Sequence, residues 1–251
     1  MTEYQSDRTV HDTETSGHLL GGRVQYAQPR QGFRSGIEPV LLAASVPVRP
    51  GESVVEGGTG AGATLLCLAA RIPGLRGVGI ERDHRLVSLA RRNAVANRQP
   101  DLRFIVADMA ALPDTGVFDH GCANPPYHSP AGTASPEAGR ATAKRGHAGL
   151  IRLWAAALAQ RLRPRGTLTF ILPCAILPVC AEAFAAAGCP PIAMLPLWPK
   201  AGREAKLVLL RGVRGGKASF RVLPGLVLHE PGGGFTQDAE AILRHGSALA
   251  L

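Results

Sequence analysis

Two stretches of this 251-residue sequence carry residue types whose spacing could do chemistry. The first is Val54-Val55-Glu56-Gly57-Gly58-Thr59-Gly60-Ala61-Gly62. It follows a strand-like apolar run and opens a helical one, so its glycines let the backbone approach a ligand at a helix N-terminus. Glu81 closes the next apolar run, where a carboxylate can accept hydrogen bonds from ribose hydroxyls. Two nucleotide cofactors fit this loop. Gly58-x-Gly60-x-x-Ala63 satisfies the dinucleotide fingerprint. Glu56-x-Gly58-x-Gly60-x-Gly62 satisfies in full the acidic-x-Gly-x-Gly-x-Gly pattern of enzymes that use S-adenosylmethionine, whose cationic sulfonium and amino groups suit a carboxylate at a strand end. Asp108, at the end of a third strand, can bind an adenine exocyclic amine, cap the turn beginning at Met109, or do both.

The second stretch is Asn124-Pro125-Pro126-Tyr127, where a fourth strand would end. In these residues the sequence resembles the amino-methyltransferases, whose fourth motif is [Asp/Asn/Ser]-Pro-Pro-[Tyr/Phe]. The resemblance implies a defined chemistry. A planar amine or amide nitrogen has a delocalised lone pair and is a poor nucleophile. The Asn124 side-chain oxygen and the Pro125 carbonyl would accept hydrogen bonds from the NH2 group and favour a tetrahedral nitrogen aimed at the sulfonium methyl. Pro125 and Pro126 would fix the backbone. Tyr127 would stack on a planar target. With the tetrapeptide following the glycine loop and both acidic strand ends in order, the S-adenosylmethionine reading prevails over the dinucleotide one.

The flanks narrow the resemblance. Leu19-Leu-Gly-Gly-Arg-Val-Gln-Tyr and Gln28-Pro-Arg-Gln-Gly-Phe-Arg-Ser-Gly-Ile-Glu-Pro-Val-Leu-Leu-Ala-Ala are similar to the N-terminal block of the bacterial tRNA1(Val) adenine-N6 methyltransferases, and His229-Glu-Pro-Gly-Gly-Gly-Phe-Thr-Gln-Asp-Ala-Glu is similar to that family's end. By position, Gly36 and Glu38 would border the cofactor and Glu56, Gly58, Gly60, Gly62, Glu81, Asp108 and Asn124 would contact it. Asn124 to Tyr127 would hold an adenine. Glu38 and Glu56 stand where the family often has Asp, which keeps the charge. His120-Gly121 replaces an apolar pair and leads us to expect a looser fourth strand. Release-factor glutamine methyltransferases share the tetrapeptide, but they carry a sizeable helical domain before the glycine loop, and only 55 residues precede Glu56 here. A glutamine-amide enzyme, or a binding module that kept the fold without turnover, is the alternative.

These residues need a scaffold, and apolar periodicity supplies one. Strands are expected at 53–57, 77–81, 102–107, 117–123 and 167–172, alternating with helices at 63–71, from an Asp83 cap to 97, at 150–162 and at 175–187. Residues 19–34 read as a hairpin around Gly21-Gly22, 38–48 as a helix and 128–146 as a loop. Ile192–Leu197 and Ala205–Val213 follow each other without a helix, which makes the last strand antiparallel. The result is α/β: one Rossmann-like class I methyltransferase domain over 19–251, a mostly parallel seven-stranded sheet with an antiparallel last strand and an N-terminal hairpin extension (19–50) before the core (51–251). Residues 1–18 read as a disordered acidic tail.

Composition sets the partners. The hydrophobic share is 45%, enough for a sizeable core, and net charge is +9. Glu3, Asp7, Asp12 and Glu14 make the tail acidic, so the body is more basic than the whole chain. A polyanionic partner, RNA, is expected. The basic residues Arg140, Lys144 and Arg145 after the tetrapeptide, and Trp198, Lys200 and Arg203 in the turn before the antiparallel strand, would hold it by phosphate pairing and stacking. Five cysteines without a C-x-x-C pair fit a reducing cytoplasm and neither a disulfide framework nor a zinc site. No metal, no membrane and a monomer are expected.

Overall fold

The computed structural model describes residues 14–31, 36–126 and 138–251, with side chains throughout except at 138–147. The chain begins with an antiparallel hairpin of β1 (Glu14–Leu19) and β2 (Val24–Pro29). Helix α1 (Glu38–Ser45) follows, then β3 (Ser53–Gly57), α2 (Ala63–Arg71), β4 (Arg76–Glu81), α3 (His84–Ala96), β5 (Leu102–Val106) and β6 (Phe118–Ala123). The second half runs through α4 (Ala138–Gln160), β7 (Leu162–Pro173), α5 (Leu177–Ala186), β8 (Pro191–Lys200), β9 (Leu207–Val213), β10 (Arg221–Val222), β11 (Leu226–His229) and α6 (Gln237–Leu243).

The central sheet is ordered β10-β8-β9-β7-β6-β3-β4-β5, with β11 also on β8. All pairings in it are parallel except those of β9, which runs antiparallel to β7 and β8. The α/β class and the antiparallel strand are as the periodicity predicts. Three expectations are corrected. Among the described residues the sheet has nine strands and not seven, because two short strands, β10 and β11, both add to the free edge of β8. The hairpin starts at Glu14, so Glu14–His18 is strand and not tail. Helix α4 starts at Ala138, inside the expected loop 128–146, because Ala138, Ala141, Ala143, Lys144 and Arg145 are good helix formers whose propensity outweighs the lack of an apolar stripe.

Buried apolar side chains fill both faces of the sheet. Leu41, Leu65, Leu68 and Val87 pack on one side, and Leu158, Phe170 and Phe184 on the other. The Phe170 and Phe184 rings meet edge to face at 4.9 Å. Helix ends are closed by side chains. Asp83 caps α3 through Arg85 N–H at 2.8 Å, and Thr236 caps α6 through Ala239 N–H at 3.2 Å. The last carbonyls of α1 are closed by distant groups: Arg71 donates to Ala43 O, Leu249 N–H to Ala44 O and Arg211 to Ser45 O. These ties bind α1 to α2, to β9 and to the C-terminal segment, which fixes the helix that carries Glu38.

Arg71→Met keeps the apolar stem but leaves the Ala43 carbonyl without its donor. It should lower unfolding stability by about 2 kcal/mol, the cost of losing a charge-assisted bond to a buried acceptor. Urea unfolding checks this, and an unchanged midpoint would show that the tie contributes nothing.

Candidate active site

Sheet register assembles the site. Gly57 pairs with Ile80 of β4 on one side and Ala123 of β6 on the other, and Glu81 pairs with Val106 of β5. One residue further along each strand, Gly58, Glu81 and Asn124 therefore emerge as one rank from the carboxyl edge of the sheet. Asp108 follows two residues after Val106. Open α/β sheets bind ligands at this edge.

The glycine loop is pinned from below and from the side. Thr59 N–H donates to Ile80 O at 3.0 Å, and Gly62 N–H donates to Thr59 O at 2.9 Å. Gly60 N–H donates to Glu81 Oε2 at 3.2 Å, while Glu81 Oε1 accepts from Asp83 N–H at 3.0 Å. Gly58 has φ +65°, and a Cβ there would enter the Trp154 ring, so only glycine fits on both counts. Gly60 has φ +55° and faces open space, the kind of cradle in which a ligand meets bare backbone. Trp154 is buried and lies directly against this loop.

Glu56 lies under the loop, 2% exposed, with its carboxylate accepting from Thr59 Oγ1 at 2.6 Å. Burial pushes its carboxyl up to about 7 against the pull of hydrogen bonds from the Thr59 and Thr64 hydroxyls, and the nearby Glu81 charge adds to the rise. Asp108 is exposed and accepts from Ala110 N–H at 2.8 Å, so the capping role is realised. Three carboxylates thus line one edge of a chain whose net charge is +9. That donor set fits S-adenosylmethionine, with acidic groups for its cationic centre, ribose and adenine amine and an open glycine for its approach.

Asn124 is half-buried, Pro125 buried and Pro126 exposed at the end of β6. Tyr127 lies outside the described residues. The fourth strand is not loose, which corrects the expectation drawn from His120-Gly121. His120 is 6% exposed, with Nδ1 at 2.8 Å from Thr167 Oγ1 and Nε2 at 2.9 Å from Glu52 Oε2. Asp119 accepts from Ser53 N–H and from Ser53 Oγ, both at 2.8 Å. A polar pair in a buried strand costs little when both partners are supplied, and here they come from β7 and from the residues entering β3. The irregularity is confined to a register shift between Phe118 and His120.

The remaining predicted residues lie on the flanks. Glu38 opens α1, and its carboxylate folds back over Gly36, where a negative charge suits a helix N-terminus. No described hydrogen bond joins either residue to the glycine loop. Strand β8 leads to the expected basic turn on the carboxyl side, but two of its residues are engaged. Trp198 Nε1–H donates to Pro224 O at 3.1 Å with the ring edge against Gly225, and Lys200 Nζ donates to Pro231 O at 3.0 Å. Arg203 is exposed. The side chains of Arg140, Lys144 and Arg145 lie outside those described. Cys67, Cys122, Cys180 and Cys189 are buried, and burial raises each thiol, that of Cys67 to about 12. Asn93 of α3, which the sequence reading passed over, donates to the carbonyl of Ala61 inside the glycine loop. Its signal was a polar residue beside Ala90 and Ala94 on the buried face of an amphipathic helix.

The Glu56 carboxyl titrates near 7 when folded and 4.5 in its ordinary state. The folded state therefore holds its proton longer, so this group's contribution to stability is present below 4.5 and is lost as pH rises towards 7. Without cofactor, the protein should lose up to about 3 kcal/mol across that window through this group. In Glu56→Gln that loss should disappear, leaving the variant relatively more stable at pH 8. Urea titrations at pH 5 and pH 8 test this, and an equal pH dependence in both proteins would refute it.

Residues 38–150 match the methyltransferase small domain family. A tRNA1(Val) (adenine(37)-N6)-methyltransferase of Aeromonas hydrophila is 31% identical over 193 residues, covering 74% of this chain and 79% of the relative. A release factor glutamine methyltransferase of Mycobacterium leprae is 36% identical over 88 residues, covering 35% of this chain and 30% of that protein. A predicted O-methyltransferase from Agrobacterium tumefaciens superposes with a TM-score of 0.71 at 21% identity, covering 85% of this chain and 99% of that one, which shows a shared fold. The glutamine methyltransferase likeness is thus local, whereas the first extends over most of both chains: the chain belongs to the tRNA1(Val) adenine-N6 methyltransferase family, whose members are S-adenosylmethionine-dependent enzymes of the class I methyltransferase fold.

Proposed function

We propose that this chain methylates the exocyclic N6 of an adenine in RNA, with adenine-37 of a tRNA1(Val)-like transfer RNA as its target, and that it does so as a monomer in the cytoplasm with residues 19–251 working as one catalytic unit. The observation that carries the reading is the register that sets Asn124-Pro125-Pro126 beside the glycine loop and its carboxylates. S-adenosylmethionine, when bound, supplies an electrophilic methyl group. Gly58, Gly60 and Gly62 would let it lie against the backbone, Glu56 would face its cationic end, Glu81 its ribose and Asp108 its adenine amine, with Gly36 and Glu38 at the border.

The target amine would meet Asn124. Its side-chain oxygen and the Pro125 carbonyl accept from the two N–H bonds and draw the nitrogen out of conjugation. Pro126 keeps that backbone rigid, and Tyr127 stacks on the base. No strong base is needed, because the proton leaves after the nitrogen has gained its methyl group. Asn124→Ala should lower kcat by about 10²-fold, as removal of a transition-state hydrogen-bond partner does, with a smaller change in cofactor affinity. Near-normal kcat would refute this role. Methylation of total tRNA and rRNA with labelled cofactor should give N6-methyladenosine. Methyl-glutamine in a release factor without methylated RNA would move the assignment to the amide substrate.

The RNA backbone would be held by Lys200 and Arg203 on the β8–β9 turn and by Arg140, Lys144 and Arg145 on α4, with the exposed part of Trp198 as a stacking surface. The Lys200→Ala/Arg203→Ala and Lys144→Ala/Arg145→Ala pairs should each weaken RNA binding and flatten its salt slope by about 0.7–0.9 for every phosphate that is no longer neutralised. Cofactor binding should be unaffected. Unchanged affinity and slope in both pairs would put the RNA on another face.

A further inference from the structure

We infer that Asn93 is a positioning residue for the cofactor, locking the N-terminal hairpin to the glycine loop through one side-chain amide; this rests on the S-adenosylmethionine reading above. The outer edge of β2 has no strand beside it among the described residues. Helix α3 and its C-cap take that place with two asparagines one turn apart, Asn93 in the helix and Asn97 capping it. Asn97 Oδ1 accepts from Gln25 N–H at 2.9 Å and Asn97 Nδ2 donates to Gln25 O at 2.7 Å. Asn93 Oδ1 accepts from Ala27 N–H at 3.0 Å and Asn93 Nδ2 donates to Ala27 O at 2.9 Å. The spacings agree: four helical residues rise about 6 Å, and two strand residues about 6.7 Å. Each carboxamide thus reads one residue of the strand as a neighbouring strand would.

The two amides differ in their remaining proton. That of Asn97 returns to its own helix, to Asn93 O at 2.7 Å. That of Asn93 goes to Ala61 O at 2.9 Å, between the two glycines that open α2. The peptide joining Ala61 and Gly62 is then fixed at both ends, since Gly62 N–H donates to Thr59 O at 2.9 Å. Asn93 is 3% exposed and Ala61 5%, so neither bond is replaced by water at low cost. Both donors and the acceptor of Asn93 are in use, a pattern that no other side chain of this length provides. Asp lacks the donors, and Ser or Thr offers one. The hairpin and the loop are consequently set at one distance, and the orientation of the Ala61 peptide decides how the glycine turn meets a ligand.

Asn97 supplies the control, because it ties the same hairpin without touching the loop. Calorimetry on the full chain with S-adenosylhomocysteine as probe should show Asn93→Ala binding about tenfold more weakly, the effect of removing one buried hydrogen bond at the site. Asn97→Ala should bind like the parent. Asn93→Asp, near-isosteric and keeping the acceptor for Ala27 N–H while losing the donor to Ala61 O, should weaken binding in the same direction and serves if the alanine variant does not fold. In turnover assays the cofactor KM of the Asn93 variants should rise by a larger factor than kcat falls. Equal weakening in Asn93→Ala and Asn97→Ala would assign the effect to hairpin docking as a whole and overturn the inference, as would parental affinity in both Asn93 variants. If the parent protein itself fails to bind the probe, the cofactor reading falls, and the inference with it.

Discussion

A carboxylate buried beneath a glycine turn, at the end of a central strand, governs how the carboxyl edge of this sheet is built. An isolated buried charge is expensive, and Glu56 meets that cost by holding its proton up to about 7 and by accepting from the Thr59 hydroxyl. Thr59 lies within the turn, so the turn and the carboxyl hold each other. The turn must then pass over Trp154 without a side chain in the way, which requires Gly58, and it must be braced against its neighbours, which Glu81 does through Gly60 N–H. Charge, sterics and backbone conformation therefore converge on one short segment.

The charges divide by role. The edge that faces the glycine loop is acidic, while the chain as a whole is basic. Acidic groups at that edge suit a cationic cofactor. At the opposite end of the strands a second set of polar groups, Glu52, His120, Thr167, Ser53 and Asp119, is paired within the protein. It shows what a polar cluster looks like when it serves the fold: its members satisfy one another across β3, β6 and β7.

The hairpin and α1 are held by side chains that satisfy backbone groups. Arg23 donates to Ala70 O at 2.9 Å and His245 O at 2.8 Å, Asn93 and Asn97 line the edge of β2, and Arg71 and Arg211 close α1. A two-stranded hairpin is marginal alone. Here its unpaired edge is completed by α3, and its buried residues Val24 and Tyr26 join the core beside Leu65 and Ala90. The N-terminal block is therefore part of the same packed body as the sheet.

Much of this is legible in the residues alone. Alternation of apolar runs placed β3, α2 and α3 almost to the residue, because strands buried on both faces and helices with one buried stripe leave strong periodic signals. Asp83 announced its helix as a cap, and the Glu56 loop and Asn124-Pro125-Pro126-Tyr127 announced a ligand edge, since each requires residue types that few other structures need. Which polar groups find partners is settled by folding and not by local sequence. His120 suggested a loose strand until Thr167 and Glu52 were brought to it from 47 and 68 residues away. Trp198 gives its indole N–H to Pro224 O, a partner 26 residues away that its own stretch of chain does not foretell. Asn93 signalled only a polar residue on a buried helix face until Ala27 and Ala61, 66 and 32 residues away, met on one amide. Periodicity records how much of a residue is buried. It does not record what the residue is buried against, and for polar side chains that partner decides between strain, scaffold and site.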